Sequence, residues 1–220
     1  MLRAGAPLCH TKGKNPPPPA GGGCEWDGGG IGPPWDYPPN LYRREVAAYR
    51  LSAALGWELI PPTVEREQGM EYGIGSLQAY IPTDYSCTFF ELREEHADVM
   101  RRFALFDWLS NNADRKGGHV LKGEGDQLWG IDTGLSFHEE EKLRTVIWDY
   151  AGEPIDARLL EDVEGLIPRL ESGGDAADAL SGLLSEGEIE VLRLRAALVL
   201  EQGRLPEPPT SRRSYPWPLV

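Results

Sequence analysis

The stretch "LSNNADRKGGHVLKGEGDQLWGIDTGLSF", residues 109–137, decides how the whole chain is read. It carries two aspartates, Asp114 and Asp132, on either side of a compact polar turn. The residues before it, Val99, Met100, Phe103, Leu105, Phe106, Trp108 and Leu109, would surround a helix with apolar side chains, and such a helix is buried. The chain must therefore leave the core at Asn111. Asn111, Asn112, Asp114, Arg115 and His119 are more polar groups than an ordinary helix exit needs. "VLK", "GEGD" and "QLWGI" then predict a tight hairpin in which Gly123 and Gly125 permit positive φ. The hairpin returns Asp132 to the loop of Asp114, so both carboxylates can face one cavity.

Each aspartate has a plain reading as well. Asp114 suits an acidic loop residue paired with Arg115, and Asp132 suits a turn before Gly134. The chemical reading is phosphoryl transfer, in which one carboxylate orients the attacking hydroxyl and a second holds magnesium against phosphates, with a further ligand from the first loop. Asp114, Asp132 and His119 fit those places in that order, although His119 reads equally well as a simple loop histidine.

Working outward, "LYRREVAAYRLSAALG" is an amphipathic helix stopped by Gly56. "WELIPPTVER" reads as a short strand broken by Pro61 and Pro62, and "GIGSLQAYIP" as a second strand ended by Pro82. One helix is expected over Phe89 to Ser110. Asp156 can cap a helix carrying Leu159, Leu160, Val163, Leu166, Ile167 and Leu170, and Ser185 with Glu188 makes a capping box for the helix that stops at Gly203. Trp108, Trp129 and Trp148 are expected in the core. A small mixed segment followed by a mainly helical one is an α+β pattern.

Residues 1–40 hold 9 of the 19 prolines and 9 of the 26 glycines, a composition that cannot pack a core. The abrupt change near residue 35 is also what a gene-start or frame error upstream would produce. Trp35 and Tyr37 are the residues there that could dock on the folded part. The proline-rich tail from Leu205 is expected to be extended.

The chain has 22 basic and 35 acidic residues, a net charge of -13, which argues against nucleic acid as a partner. Cys9, Cys24 and Cys87 are spaced for neither a disulfide framework nor a zinc site. The sequence holds no continuous apolar run of membrane-spanning length and no secretory start, so cytoplasmic residence is the expectation.

"NNADRKGGHVL" followed by "GIDTGLSF" resembles the catalytic and metal-binding loops of the phosphatidylinositol 3- and 4-kinase-like superfamily. The pattern is most similar to type II phosphatidylinositol 4-kinases and their bacterial relatives of unassigned substrate. "REVAAYRLSAALGWELIPPT" looks like the regulatory helix and strand of the small lobe, and "GSLQAYIP" like the strand and hinge that hold adenine. The resemblance covers about residues 35–150.

It implies a two-lobed, protein-kinase-like fold with an incomplete or truncated small lobe. Residues 1–34 would be disordered, 35–82 a small-lobe remnant with the hinge, 83–204 the mainly helical large lobe and 205–220 a tail. It further implies ATP and Mg2+ as cofactors, with Asp114, Arg115 and Asp132 as catalytic residues and Asp132 and His119 on the metal. Glu45 would pair with the ATP-binding lysine, and Gln78, Ala79, Tyr80 and Ile81 would form the hinge. The acceptor would be a hydroxyl on a lipid, a protein or a small molecule.

Two departures matter. The family's asparagine is His119 here, an imidazole that suits magnesium less well than an oxygen ligand. The lysines before Glu45 are Lys12 and Lys14, in a proline- and glycine-rich context unlike a central strand. These departures point to the alternative of a nucleotide-binding pseudokinase or regulatory module.

Overall fold

The computed structural model describes residues 8–11, 37, 40–66 and 73–220. Lys12, Lys14 and Trp35 lie outside the described residues. The architecture is α+β, as the sequence pattern predicts, with two small antiparallel sheets and six helices among the described residues.

The first helix, α1 (Tyr42–Ala54), buries Val46, Ala47 and Leu51. Gly56 ends it with φ +68°: its N–H donates to Ala53 O and the N–H of Trp57 to Ser52 O, the paired bonds of a Schellman stop. The chain then runs extended through Leu59 and Ile60, whose N–H groups both donate to the buried Ser52 hydroxyl at 2.8 and 3.3 Å. The expected strand across "WELIPPTVER" forms only after its prolines, as β2 (Thr63–Arg66). The residues before Pro61 bond elsewhere, Leu59 O accepting from Gly130 N at 2.7 Å.

Strand β3 (Gly75–Ala79) occupies the centre of the larger sheet, between β2 and a further strand, β1 (Leu8–Thr11), in the order β1-β3-β2. Both neighbours are antiparallel to it. Strand β1 falls in the segment whose composition predicts no ordered structure, and this corrects that expectation for its four residues. A sheet edge offers unpaired backbone groups and can recruit a strand with little regard to sequence. Helix α1 packs on β2 and β3.

The single helix expected over residues 89–110 is two. Thr88 and Glu91 close a capping box on the short α2 (Phe89–Leu92), residues 93–96 turn, and α3 (Ala97–Ser110) begins at Ala97. The later half of α3 is buried on all sides, from Phe103 to Ser110. Asn111 leaves it in the left-handed region at φ +53°, which asparagine tolerates better than most residues.

Strands β4 (Val120–Lys122) and β5 (Leu128–Gly130) form the expected hairpin. Of its turn glycines only Gly125 has positive φ. Gly123 is small for another reason, since a Cβ there would stand 3.0 Å from the Trp129 ring and 3.2 Å from Ile81.

Helices α4 (Ala157–Arg169), α5 (Asp175–Leu180) and α6 (Glu186–Gln202) follow. Asp156 caps α4, and the Ser185–Glu188 box and Gly203, at φ +58°, bound α6 as the sequence predicts. One apolar cluster runs from Ala47 through α3 to Leu205. Trp108 and Trp148 belong to it, whereas Trp129 is half-buried.

The tail has no helix or strand and lies along the helical part. Ser214 O accepts from Thr145 N and from the Trp148 indole, and Leu219 O accepts from Gly117 N at 2.7 Å. Among the described residues no helix is long and apolar enough to cross a membrane.

Candidate active site

Asp107 stands alone as an acid on the apolar face of α3 and is wholly buried. A buried carboxylate needs partners, and the loop after the helix supplies them. Arg115, also wholly buried, donates from Nε to Asp107 at 3.0 and 3.2 Å, Asn112 Nδ2 donates at 3.2 Å and Thr145 Oγ1 at 3.1 Å. The Arg115 guanidinium also reaches Ile131 O at 3.1 Å and His119 O at 3.3 Å, the two ends of the hairpin. Burial pushes the Asp107 carboxyl up, against the pull of Arg115. Arg115, expected among the catalytic residues, thus has its guanidinium committed inside the protein, where it fixes the hairpin's base to α3.

The rest of the loop is pinned by backbone bonds. Ala113 N donates to Leu135 O, Arg115 N to Arg144 O and Val146 N to Arg115 O, at 2.8, 3.1 and 3.0 Å. Asn112 Oδ1 accepts from Asp114 N at 2.9 Å. Asn111 is used elsewhere, its amide donating to His138 O and Glu140 O.

This frame sets Asp114 with its side chain mostly buried and its Oδ2 3.2 Å from Lys116 Nζ. Lys116 N in turn donates to His119 Nδ1 at 3.4 Å, and His119 Nε2 lies 3.4 Å from Asp132 Oδ2. A continuous chain of polar contacts, Asp114 to Lys116 to His119 to Asp132, therefore joins the two aspartates that the sequence singles out. Asp132 has φ +55°, and its carboxylate is 52% exposed.

Glu45 meets the same loop from α1. Its Oε2 accepts from Thr133 N at 3.1 Å and Thr133 Oγ1 at 2.9 Å, and a backbone bond from Gly134 reaches it too. Any Cβ at Gly134 would approach Glu45 Oε1 to 3.1 Å, so the glycine keeps this contact open.

Asp132 acts on two other carboxylates, Glu45 and Asp114. Burial, reinforced by Asp132, holds the Glu45 carboxyl up at about 7. Burial also raises Asp114, with Lys116 opposing and Asp132 adding to the rise. Burial lowers His119 to about 4, although Asp132 favours its charged form. His119 is accordingly neutral at pH 7. Its Nδ1 accepts from Lys116 N, and its Nε2 faces Asp132 Oδ2 at 3.4 Å.

Among the described residues no group of three or more His, Cys, Asp or Glu side chains is arranged to hold a metal ion. The Nδ1 of His119 is engaged by Lys116 N, and its Nε2 stands beside the Asp132 carboxylate. Magnesium is ordinarily held by one or two carboxylates with phosphate oxygens and water. The half-exposed carboxylate of Asp132 suits one such position.

The expected hinge is divided in its roles. The Gln78 side chain is buried and donates to Thr63 Oγ1 at 3.0 Å, and Ala79 N donates to Pro62 O at 2.8 Å, so these two finish the sheet. Tyr80 is exposed, and Ile81 comes up against Gly123 at the turn of the hairpin. Ile81 thus meets the hairpin's turn while His119 and Asp132 stand at its open end.

Tyr37 docks as the sequence suggests. It is buried, donates to Leu135 O at 3.4 Å and meets the His138 ring edge-on, with Arg44 over its face. Arg44 itself is paired with Glu188 of α6. Sequence reasoning passes over Asp107, Thr145, Lys116 and Thr133. Asp107 has a legible signal, since a lone acid in the apolar later half of α3 demands a buried cation. The others act through contacts distant in sequence.

No known family profile matches the chain. It is 40% identical over 222 residues to the protein Rv2133c of Mycobacterium tuberculosis, an alignment that covers 84% of this chain and 78% of that protein. With that identity over most of both lengths, the chain belongs to the same family as Rv2133c.

Proposed function

We propose that the protein is an ATP- and magnesium-dependent phosphotransferase of the phosphatidylinositol 3-/4-kinase-like, two-lobed type, acting on a hydroxyl acceptor in the cytoplasm. The observation that carries this reading is the polar chain from Asp114 through Lys116 and His119 to Asp132, with Glu45 seated behind it on Thr133. Asp114 would orient the acceptor hydroxyl and take its proton. Asp132, beside His119 Nε2, would offer a carboxylate oxygen to magnesium, which would neutralise charge on the nucleotide phosphates. The protein's contribution is placement and electrostatics, achieved by the buried Arg115–Asp107 lock beneath the loop. ATP would lie along the hairpin, its base at residues 78–81 and its phosphates at the aspartates.

A second reading, a nucleotide-binding pseudokinase or regulatory module, draws on the carboxylate of Glu45. Its oxygens are taken by Thr133 and Gly134, and no lysine lies among the described residues before it.

Thermal unfolding with and without MgATP tests binding, because a ligand selective for the folded state at 100 times its Kd adds roughly 2.7 kcal/mol. Both readings expect a rise in Tm that Asp132→Ala abolishes. The absence of a rise, or one that survives Asp132→Ala, would refute both. Turnover lost in Asp114→Ala with binding kept selects the phosphotransferase, and binding without turnover in the wild type selects the pseudokinase.

A further inference from the structure

We propose that Tyr37 is a phosphorylation site: its phenol accepts the γ-phosphoryl group of ATP, and the arginines gathered around it, Arg44, Arg144 and Arg195, form the pocket that holds the resulting phosphate ester. The transfer step rests on the phosphotransferase reading above; the pocket does not.

The chain has a net charge of -13, yet three arginines act on this one hydroxyl. They come from separate parts of the fold: Arg44 from α1, Arg195 from α6 and Arg144 from the segment that follows the Asp132 loop. All three are buried. The Arg44 guanidinium stands 5.5 Å from the centre of the Tyr37 ring. The His138 ring meets Tyr37 edge-on at 5.1 Å, and the His138 carbonyl accepts from Arg195. Cations buried together are costly unless an anion offsets them.

The unmodified phenol gives these cations little. Its hydroxyl donates to Leu135 O at 3.4 Å, longer than the roughly 2.7–2.8 Å of a good O–H···O bond. Burial holds the phenol well above its ordinary pKa against the pull of Arg44, Arg144 and Arg195, so it brings no negative charge at neutral pH. Arg44 uses Nη2 on Glu188, and Arg195 uses Nη2 on the carbonyls of His138 and Glu139, which carry no net charge. Arg44 Nε and Arg195 Nη1 are buried with no hydrogen-bond partner among the described residues. Burial pulls Arg195 down to about 10. A phosphate ester on Tyr37 would bring what is missing, close to two negative charges and three acceptor oxygens beside an arginine cluster.

The carboxylate among the charges acting on the phenol is Asp114, the base of the proposed function. The Tyr37 ring is 4% exposed, so it lifts from the pocket to receive the group and returns as the ester. In the transfer the phenol oxygen forms a bond to the γ-phosphorus, and the bond from that phosphorus to the β,γ-bridging oxygen breaks, its electron pair leaving on ADP. The phenol proton passes to Asp114.

Two measurements on the full chain test this. Incubation with MgATP followed by peptide mass spectrometry should find one phosphoryl group on Tyr37, absent from Tyr37→Phe and from Asp114→Asn. Phosphotyrosine installed at position 37 during translation tests the pocket without any turnover: it should raise Tm by about 4 °C or more, the scale of a charge-assisted hydrogen bond in a domain of this size. Arg195→Met should remove that rise, and Arg195→Gln gives the same reading should the methionine variant fail to fold. An installed phosphotyrosine that leaves Tm unchanged or lowers it, or a rise that survives both Arg195 variants, overturns the pocket. A chain that turns over ATP but leaves Tyr37 unlabelled overturns this inference and spares the proposed function. A chain that neither binds MgATP nor labels Tyr37 overturns the transfer step and the phosphotransferase reading together.

Discussion

Replacing Glu45 with glutamine should change the shape of the stability–pH curve. In the folded chain burial keeps a proton on Glu45 up to about pH 7, whereas its ordinary value is 4.5. The folded state therefore binds more protons than the unfolded state between those values. Stability from this group is fully present below 4.5 and is lost as pH rises through about 7, a fall of about 3 kcal/mol.

His119 works in the opposite sense. Its folded value is depressed from 6.5 to about 4, so its contribution is present above 6.5 and is lost as pH falls through about 4, again about 3 kcal/mol. Where the windows overlap these two contributions oppose and largely cancel each other. Glu45→Gln removes one of them. From paired urea midpoints, the variant's stability relative to wild type should gain about 3 kcal/mol between pH 4.5 and 7.5. A pH-independent offset from the altered bonds to Thr133 drops out of this comparison. Parallel curves for variant and wild type would show that Glu45 does not carry the buried proton, and the account of this site's electrostatics would fail.

Two further outcomes test the frame around the site. Arg115→Met leaves Asp107 buried without its cation and should cost about 3–5 kcal/mol in chemical unfolding, partly restored by adding Asp107→Asn; a loss below about 1 kcal/mol would remove the ion pair from the explanation of the loop. Gly130→Ala puts a Cβ 2.8 Å from Phe103 Cε1 and 3.2 Å from Ile60 Cδ1, so about 1–3 kcal/mol of destabilisation is expected, relieved in part by Phe103→Leu, and a neutral variant would contradict the packing of β5 on α3.

What the sequence makes legible divides by range. Helix α1 with Gly56, helix α6 with its Ser185–Glu188 box and the hairpin of β4 and β5 depend on neighbours a few residues apart, and these emerge where periodicity and turn residues put them. The break between α2 and α3 is also local. Thr88 and Glu91 announce a helix start, but nothing in the apolar pattern warns that it lasts one turn. Strand β2 begins after Pro62 because the earlier backbone groups find Ser52 and Gly130, partners that no window of sequence contains.

In the site, Asp114 and Asp132 can be singled out from the loop–hairpin–loop order alone. The use made of His119 cannot, because it depends on where Lys116 N and Asp132 lie in space. The contact between Glu45 and Thr133 joins positions 88 residues apart and is invisible before the fold is known.

The hairpin between the loops has the character of a ruler. Its turn abuts Ile81, and its open end carries His119 and Asp132. A strand advances about 3.3 Å per residue and turns its side chains over at every step. Adding one residue to β5 would send Asp132 to the opposite face, and adding a pair to both strands would move the aspartates about 7 Å farther from residues 78–81. Spacing between the two ends is thus quantised by register, while the exposed turn Glu124–Asp126 can change composition without altering the measure. A ligand that bridges the hairpin senses how many residues it contains before it senses which ones they are.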